Sequence, residues 1–396
     1  MVTSASSLSS SALFQPIKVG AHQLQHRVVM APTTRMRTPI ATGVPTPSMV
    51  EYFRQRSTSG GLLIAEATVI SPDQGAYPGA PGIWADEQVA GWKKVTEAAH
   101  SQGAVIFDQL WHIGRAASPN WMPATKQPVG PSAIAAQGNN LFDGGPYVVP
   151  HALTIPEIKD IIQDFVKAAN NAIRAGFDGV ELHAASGYLL DQFINTSSNK
   201  RADAYGGSIE NRARLVLETV DAVVEAVGEE RTAVRFGPFM GFQSMEDESP
   251  YETWGYLTEQ LQARHPNLAY LHFVEPRDTY APPDDKTKEL VSLDPFRAIW
   301  RGPFISADGY TNNLKLAEDT ANRTGNLISF GRGYIANPDL VLRLKHGWPL
   351  NPYDRSTFYF GGEKGYNDYP IYSVEKQSSV EETTETQGAP VDLVQA

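Results

Sequence analysis

The stretch GVELHAASGYLLDQF, residues 179–193, changes character at its centre. Its first half is typical of a buried strand. Its second half begins with a histidine, a serine, a glycine and a tyrosine, none of which a packed core requires. A strand that ends in this way predicts a turn carrying functional side chains, and similar transitions recur along the chain.

Eight short apolar runs of this kind alternate with segments of helical spacing. The predicted strands cover residues 26–32, 61–67, 104–111, 178–185, 232–239, 269–276, 303–309 and 326–333. The predicted helices cover residues 47–58, 87–101, 155–175, 208–227, 251–264, 294–300, 312–323 and 338–346. This alternation favours a single-domain α/β fold, the (β/α)8 TIM barrel, over a doubly wound sheet.

One connection is far longer than the others. Residues 111–153 are rich in proline, glycine and asparagine and follow the third predicted strand. A loop of this length predicts a lid or a wall of a binding pocket. The alternative, a domain boundary, is less favoured because the alternation of strands and helices resumes in the same style afterwards.

The two ends of the chain are expected to lie outside the barrel. We predict a flexible N-terminus over residues 1–12 and a single barrel domain over residues 13–372. Residues 373–396 are rich in serine, threonine, glutamate and glutamine. Because such a segment cannot offset the entropy lost on ordering, we expect a disordered acidic C-terminal tail.

Composition narrows the classes of partner. The formal net charge of −11 argues against nucleic acid and anionic membrane surfaces and favours a small-molecule ligand. The absence of cysteine excludes disulfides and thiolate catalysis, and no histidine motif of a metal site is present. With neither a signal peptide nor a long apolar segment, a soluble, cytoplasmic protein is expected.

Polar residues stand at or near the ends of several predicted strands. In a (β/α)8 barrel these ends meet at one rim, where catalytic groups lie. A convergent functional site is therefore expected there. The residues that suggest it, apart from the stretch quoted first, are Thr33, Thr34, Arg35, Gln109, Trp111, His112, Arg235, Gly331, Arg332 and Gly333.

The segment GRGYIA, residues 331–336, matches the glycine pattern of a dinucleotide-binding fold. We reject that interpretation because only about sixty residues follow and they contain no convincing strands. The loops after strands seven and eight of a barrel often bind phosphate, and here they read ADGY (307–310) and GRGY. Backbone N–H groups and Arg332 would then hold a phosphate, whereas the alternative is ordinary turn glycines beside a surface arginine.

His183, Ser186 and Tyr188 form a second group of candidates. A histidine can donate to a substrate oxygen and a phenol can supply a proton, which suits a reaction that builds negative charge on a carbonyl. A histidine at the end of a strand is also often a core residue. Arg235 is either a structural ion pair or the counter-charge of an electron-rich cofactor ring.

Seven segments in order along the chain resemble the Old Yellow Enzyme family of FMN-dependent ene-reductases, and the general pattern is similar to its fungal members. The resemblance covers roughly residues 13–372. The segments are APTTRMR (31–37), PGIW (81–84), QLWHIGRAA (109–117), HAASGYLLDQF (183–193), YGGSIENRAR (205–214), FGRGYIANPDL (330–340) and YDRSTFY (353–359).

This resemblance implies FMN as the cofactor and NADPH as the hydride donor. It implies that Thr34 contacts flavin O4, that Gln109 holds the pyrimidine edge and that Arg235 stabilises charge near N1 and O2. The other cofactor-binding positions that it implies, the last three of them at the phosphate, are Pro32, Ala67, Gly309, Gly331 and Arg332.

The resemblance also implies roles at the substrate. His183 is expected to hold the substrate carbonyl and Tyr188 to protonate the α-carbon. Ser186 departs from the family, which usually has asparagine or histidine there, so the carbonyl is held more weakly or differently. The expected walls of the pocket are Tyr77, Trp111, Phe242 and Tyr359.

The predicted reaction is the NADPH-dependent reduction of the C=C bond of an enone or enal, with a fungal natural-product pathway as one setting. One alternative is a redox-neutral isomerase or a specialised cyclisation enzyme on the same scaffold. The other is a catalytically idle flavin-binding protein. A monomer or a homodimer is expected.

Overall fold

The structure is a computed structural model that describes residues 7–276 and 291–373. Eight parallel strands form a closed barrel, in which the last strand pairs with the first. They are β1 (Val28–Met30), β2 (Leu62–Val69), β3 (Val105–Trp111), β4 (Gly179–Ala184), β5 (Thr232–Phe236), β6 (Tyr270–Val274), β7 (Phe304–Ala307) and β8 (Leu327–Phe330). Each strand overlaps one predicted run, so the predicted (β/α)8 barrel is confirmed.

Helices cover the outside of the barrel and cap its loops. They are α1 (Pro47–Arg56), α2 (Asp86–Ser101), α3 (Ile155–Arg174), α4 (Leu189–Ile194), α5 (Ile209–Val227), α6 (Pro250–Arg264), α7 (Asp294–Ile299), α8 (Leu314–Thr324), α9 (Arg332–Ala336) and α10 (Leu340–His346). All but α4 and α9 correspond to predicted helices. These two were missed because they are short and lie close to predicted strands: α9 begins within the run predicted over residues 326–333, and α4 begins four residues after the run predicted over residues 178–185.

The core has two parts, and together they explain why polar residues gather at one rim. Apolar side chains fill the layer between strands and helices. A second apolar cluster, which includes Ile64 and Phe107, fills the interior of the barrel. Val19 and Leu24, from a hairpin of Ile17–Val19 and His22–Leu24, belong to this cluster. Because apolar side chains fill the interior of the barrel, the functional groups lie beyond the carboxyl ends of the strands.

The long connection after β3 packs on the barrel. It contains a short parallel pair of Val129–Gly130 with His151–Ala152. Arg115 is buried and fastens it by donating to the carbonyls of Ile134 (3.0 Å) and Gln243 (3.1 Å). The segment thus forms a wall at the carboxyl end of the barrel.

Part of the stretch expected to be flexible at the N-terminus is packed. Leu8 is buried, and its N–H donates to the carbonyl of Leu344 on α10. Ser11 is also buried and caps a 3-10 turn. Residues 1–6 and the predicted tail from residue 374 onwards lie outside the described residues.

Candidate active site

A cavity of about 490 Å³ opens at the carboxyl ends of the strands. Fourteen of the fifteen residues predicted for the site line it, and Trp111 does not. Those that do are Pro32, Thr34, Ala67, Tyr77, Gln109, His183, Ser186, Tyr188, Arg235, Phe242, Gly309, Gly331, Arg332 and Tyr359.

A chain of buried hydrogen bonds runs beneath the cavity. Gln109 Nε2 lies 2.7 Å from Glu181 Oε1, and the other oxygen of Glu181 lies 2.8 Å from His272 Nδ1. His272 Nε2 in turn lies 3.1 Å from the hydroxyl of Ser329. These four residues, Gln109, Glu181, His272 and Ser329, come from four strands and are at most 2% exposed, and we call them the floor network.

The charges in the floor network follow from burial and contacts. Burial by itself would raise the pKa of Glu181, but His272, Arg235 and Gln109 together lower it. Burial lowers the pKa of His272 despite the adjacent carboxylate. Glu181 is therefore ionised and His272 neutral, so the Nδ1–H of His272 donates to Glu181 and its Nε2 accepts from Ser329.

Arg235 places a positive charge beside the floor network. It lies on β5 between His183 on β4 and His272 on β6, its register partners. Its Nε makes no hydrogen bond to any described residue, although that atom is buried. Burial lowers the pKa of Arg235 while Glu181 raises it, and a guanidinium stays charged under such conditions. An electron-rich group in the cavity would satisfy this cation.

The end of β4 and the turn after it present His183, Ser186 and Tyr188 to the cavity. Ser186 and Gly187 both have left-handed backbones, with φ of 61° and 72°. The turn is held by Asp191, which accepts from the N–H of Gly187 at 2.8 Å. A sharp turn at this point is why the apolar run of β4 ends where it does.

His183 and Tyr188 have protonation states suited to donating hydrogen bonds. Their rings lie 5.1 Å apart. Burial and the neighbouring Arg235 lower the pKa of His183 well below its usual value, so it is neutral. Burial raises the pKa of Tyr188 far above neutrality, so the phenol keeps its proton. Nδ1 of His183 is buried without a hydrogen bond to any described residue.

Aromatic rings form the roof of the cavity. Tyr77 lies at its centre, with its ring 4.6 Å from that of Phe142 and its hydroxyl 3.4 Å from that of Tyr188. The ring of Phe142 lies 5.0 Å from that of Tyr359. Trp111 was predicted to be part of the wall but lies behind it, because the rings of Tyr77 and Tyr188 pack against it at 5.4 and 5.1 Å.

The predicted phosphate residues share one end of the cavity. Gly309 has a φ of 78°, which favours glycine, and its N–H donates to Asp308. Gly331 precedes α9, and the guanidinium of Arg332 lies 5.9 Å from the ring of Tyr353. Arg355, which was not predicted, also lines the cavity.

Arg35 ties the roof to the barrel. This buried arginine follows β1, and it donates to the carbonyls of Phe358 (2.8 Å) and Gly365 (2.7 Å) on the C-terminal segment. Its own N–H donates to Glu66 at 2.9 Å. Burial raises the pKa of Glu66 to about 7, against the opposing effect of this hydrogen bond.

Three residues of the floor network were missed from the sequence: Glu181, His272 and Ser329. A usable signal was present in β4, where Glu181 lies two residues before His183 and therefore faces the same side of the strand. A carboxylate at an inward position of a buried strand requires a partner. The sequence does not show that the partners come from β3 and β6.

These features fit FMN. The unpartnered Nε of Arg235 suits an electron-rich ring, and Arg332 suits a phosphate. The family described as "NADH:flavin oxidoreductase / NADH oxidase family" matches residues 12–351. The chain belongs to this family. It is a member of the Old Yellow Enzyme family of FMN-dependent oxidoreductases, which act on C=C bonds.

Two curated relatives show the breadth of the Old Yellow Enzyme family. Flavin oxidoreductase hxnT of Emericella nidulans is 45% identical over 379 residues, which cover 91% of this chain and 97% of that protein. The 12-oxophytodienoate reductase 1 of Oryza sativa subsp. japonica is 44% identical over 363 residues, covering 91% and 93% respectively. A fungal relative thus stands beside plant ones.

Solved structures of Old Yellow Enzyme homologues have the same fold. Morphinone reductase in complex with tetrahydroNAD superposes with a TM-score of 0.83 at 43% identity, covering 92% of this chain and 98% of that one. The old yellow enzyme homologue from Zymomonas mobilis gives a TM-score of 0.83 at 39% identity, covering 91% and 99%.

Two further features, a metal site and a membrane-spanning helix, are absent from residues 7–276 and 291–373. No group of three or more histidine, aspartate or glutamate side chains there is arranged to hold a metal ion. No helix in those ranges has the length and apolar character needed to cross a bilayer.

Proposed function

We propose that this protein reduces the C=C bond of an α,β-unsaturated carbonyl compound and uses NADPH as the hydride donor. The observation that carries the proposal is the pair of His183, at the end of β4, and Tyr188, after the following turn, which both line the cavity. One is a neutral hydrogen-bond donor and the other a protonated phenol. Together they suit a carbonyl oxygen and a neighbouring carbon of the same substrate.

FMN, when bound, accepts a hydride from the nicotinamide and passes it to the substrate. Gln109 and Arg235 would hold its ring from the floor, with Thr34, Pro32 and Ala67 beside it. At the other end of the cavity, Gly309, Gly331 and Arg332 would hold its phosphate.

His183 would bind the substrate carbonyl. A donor aimed at this oxygen stabilises the negative charge that develops there, and in a water-poor site this effect is large. Burial and the adjacent cation of Arg235 lower the pKa of His183 and keep it neutral. The histidine therefore orients and polarises the carbonyl without itself giving up a full proton.

Tyr188 would supply the proton to the α-carbon. Its hydroxyl lies 3.4 Å from that of Tyr77, so this second phenol can hydrogen-bond to Tyr188 while the proton is transferred. The aromatic rings around it exclude water and leave this phenol as the nearby acid. Tyr77, Phe142, Phe242 and Tyr359 would shape the space above the carbonyl.

NADPH and a natural-product substrate belong to the proposal rather than to the family assignment. Morphinone reductase was solved with tetrahydroNAD, which shows a nicotinamide bound to that protein. Comparing kcat/KM for NADPH and NADH decides the donor here. A preference for NADH would replace this part of the proposal and leave the reduction of the enone unchanged.

A redox-neutral isomerase is the second candidate, and Ser186 favours it. The hydroxyl of Ser186 contacts the sulfur of Met240 at 3.8 Å. A carbonyl held by His183 alone could be placed for proton transfer without net reduction. The isomerase requires product to form without stoichiometric NADPH consumption.

The deciding experiment uses the purified protein. It should be yellow and release FMN on denaturation, and 2-cyclohexenone should yield cyclohexanone with one NADPH consumed per product. If the protein binds no FMN, the proposed function fails. If FMN is bound but a panel of enones turns over only without NADPH consumption, the isomerase replaces the reductase.

A further inference from the structure

The floor network contains an ionised carboxylate that the roles above do not use. Glu181 lies on β4, fully buried, between Gln109 and His272. We propose that Glu181 is a positioning residue that fixes the amide of Gln109 and offsets the charge of Arg235, and thereby sets the reduction potential of the bound flavin. This inference rests on the FMN site of the proposed function.

The orientation of Gln109 follows from the chemistry of its partner. An ionised carboxylate only accepts hydrogen bonds, so the amide must turn its nitrogen towards Glu181. The amide oxygen of Gln109, a residue that lines the cavity, is then left to accept from a ligand. An amide next to a neutral partner could adopt either orientation.

The second oxygen of Glu181 is held just as firmly. The hydroxyl of Ser329 gives its hydrogen bond to Nε2 of His272, so the ring proton stays on Nδ1 and faces Glu181. The carboxylate therefore has one donor on each oxygen and little freedom to rotate. The positions of His272 on β6 and Ser329 on β8 therefore help to fix the amide of Gln109 on β3.

The charge argument concerns Arg235. Its cation favours the electron-rich, reduced state of a nearby ring, and a buried anion next to it weakens that preference. Glu181 is the anion of the floor network, and the charge of Arg235 helps to lower the pKa of Glu181. Removing the charge of Glu181 should leave the cation less opposed, with Asp308 as a remaining anion that acts on it, and stabilise the reduced flavin.

Glu181→Gln and Glu181→Asp separate the two effects. Gln keeps the shape but removes the charge, whereas Asp keeps the charge but is one methylene too short to bridge Gln109 and His272. We expect Glu181→Gln to raise the reduced-to-oxidised ratio about tenfold at a fixed potential, about 30 mV for a two-electron couple. Glu181→Asp should shift that ratio less than threefold but weaken FMN binding several-fold.

The measurement is the midpoint potential of the FMN holoprotein, obtained by photoreduction against a reference dye, with FMN affinity measured separately. Photoreduction needs neither NADPH nor an enone, so it remains valid if the proposed reaction is wrong. Absence of FMN from the wild type would defeat the proposed function. A holoprotein whose potential is unchanged in Glu181→Gln would overturn the inference alone.

Ser329→Ala tests the same idea if the Glu181 variants do not fold. Loss of the hydroxyl frees the tautomer of His272 and weakens the ionised state of Glu181, so the potential should rise, by less than about 30 mV. Ser329→Thr keeps the hydroxyl and should match the wild type. Equal potentials in Ser329→Ala and the wild type would contradict the proposal.

Discussion

The floor and the roof of the cavity are built in different ways. Floor residues such as Gln109, Glu181 and Arg235 come from barrel strands and lie in a fixed register. The roof comes from the connections after β2 and β3 and from the C-terminal segment, and it includes partly exposed Leu141 (55%) and Tyr359 (39%). Strands hold side chains more precisely than loops, so the floor suits a constant cofactor and the roof a variable substrate.

The two regions also treat a buried glutamate differently. In the floor network, Glu181 accepts hydrogen bonds from Gln109 and His272. These contacts and the charge of Arg235 lower its pKa. Glu66 supports the roof through the N–H groups of Arg35 and Met36, and burial raises its pKa to about 7. The floor therefore keeps its charge over a wide pH range, whereas the support of the roof titrates near neutrality.

Replacing Tyr188 with Phe should give the largest effect and should be confined to substrate chemistry. General acid catalysis contributes roughly 10²–10⁴-fold, so reoxidation of the reduced protein by a weakly activated enone should slow by that factor. Reduction by NADPH should remain nearly normal, because it requires no proton from the phenol. Stopped-flow measurement of each half-reaction tests this, and equal slowing of both would assign Tyr188 a packing role.

Replacing Arg332 with Ala should weaken cofactor retention. Loss of a charge-assisted hydrogen bond to phosphate costs roughly 1.5–3 kcal/mol, about a tenfold to hundredfold rise in the Kd for FMN. Arg355→Ala is the matched control, since Arg355 also lines the cavity. Titration of the apoprotein gives both affinities. If only the Arg355 variant loses FMN, the phosphate lies nearer that residue.

The pKa of Glu66 predicts a pH dependence of stability that Glu181 does not share. Because the folded pKa is raised to about 7 from 4.5, the contribution is most favourable below about pH 4.5 and is lost as the pH rises through 7. The loss should be about 1–3 kcal/mol. Urea unfolding at pH 5.5 and pH 8 should show Glu66→Gln gaining clearly more stability relative to wild type at pH 8 than at pH 5.5. An equal difference at both values would disprove this linkage.

Ser186 should give the smallest effect, and two variants separate its causes. Its φ of 61° suits asparagine or glycine better than serine. Ser186→Asn adds a second donor and relieves this strain, whereas Ser186→Gly relieves the strain alone. We expect a several-fold gain in kcat/KM for 2-cyclohexenone in the Asn variant only. Equal gains in both would show that backbone strain, not the missing donor, limits the wild type.

The sequence predicted the barrel well because its signals are local. Alternating strands and helices, and polar residues at strand ends, located His183, Tyr188 and Arg235 without knowledge of the fold. The floor network was not predicted, since neither Glu181 nor His272 shows its partner in its own strand. Phe142 and Arg355 were missed for a different reason: loop residues reach the cavity through tertiary packing that no periodicity records.

Trp111 lies near the cavity, as expected from its place on β3, but its side chain does not line the cavity. It lies two residues after Gln109 and was expected in the wall, yet it is almost fully buried. Alternation along β3 gives the direction of its side chain but not its depth beneath other rings. Tyr77 comes from the connection after β2, and only the folded chain shows that it covers the indole.

The anchoring of the roof by Arg35 sets an order of events during synthesis. Arg35 emerges from the ribosome early, whereas its acceptor Phe358 lies 323 residues later. Arg56 likewise donates to the carbonyls of Tyr334 and Tyr366. A nascent chain can thus pair most of its strands while two interior guanidinium groups still lack their acceptors. The cavity acquires the C-terminal part of its cover only after the segment around Phe358 has been synthesised, so the roof is completed late in translation.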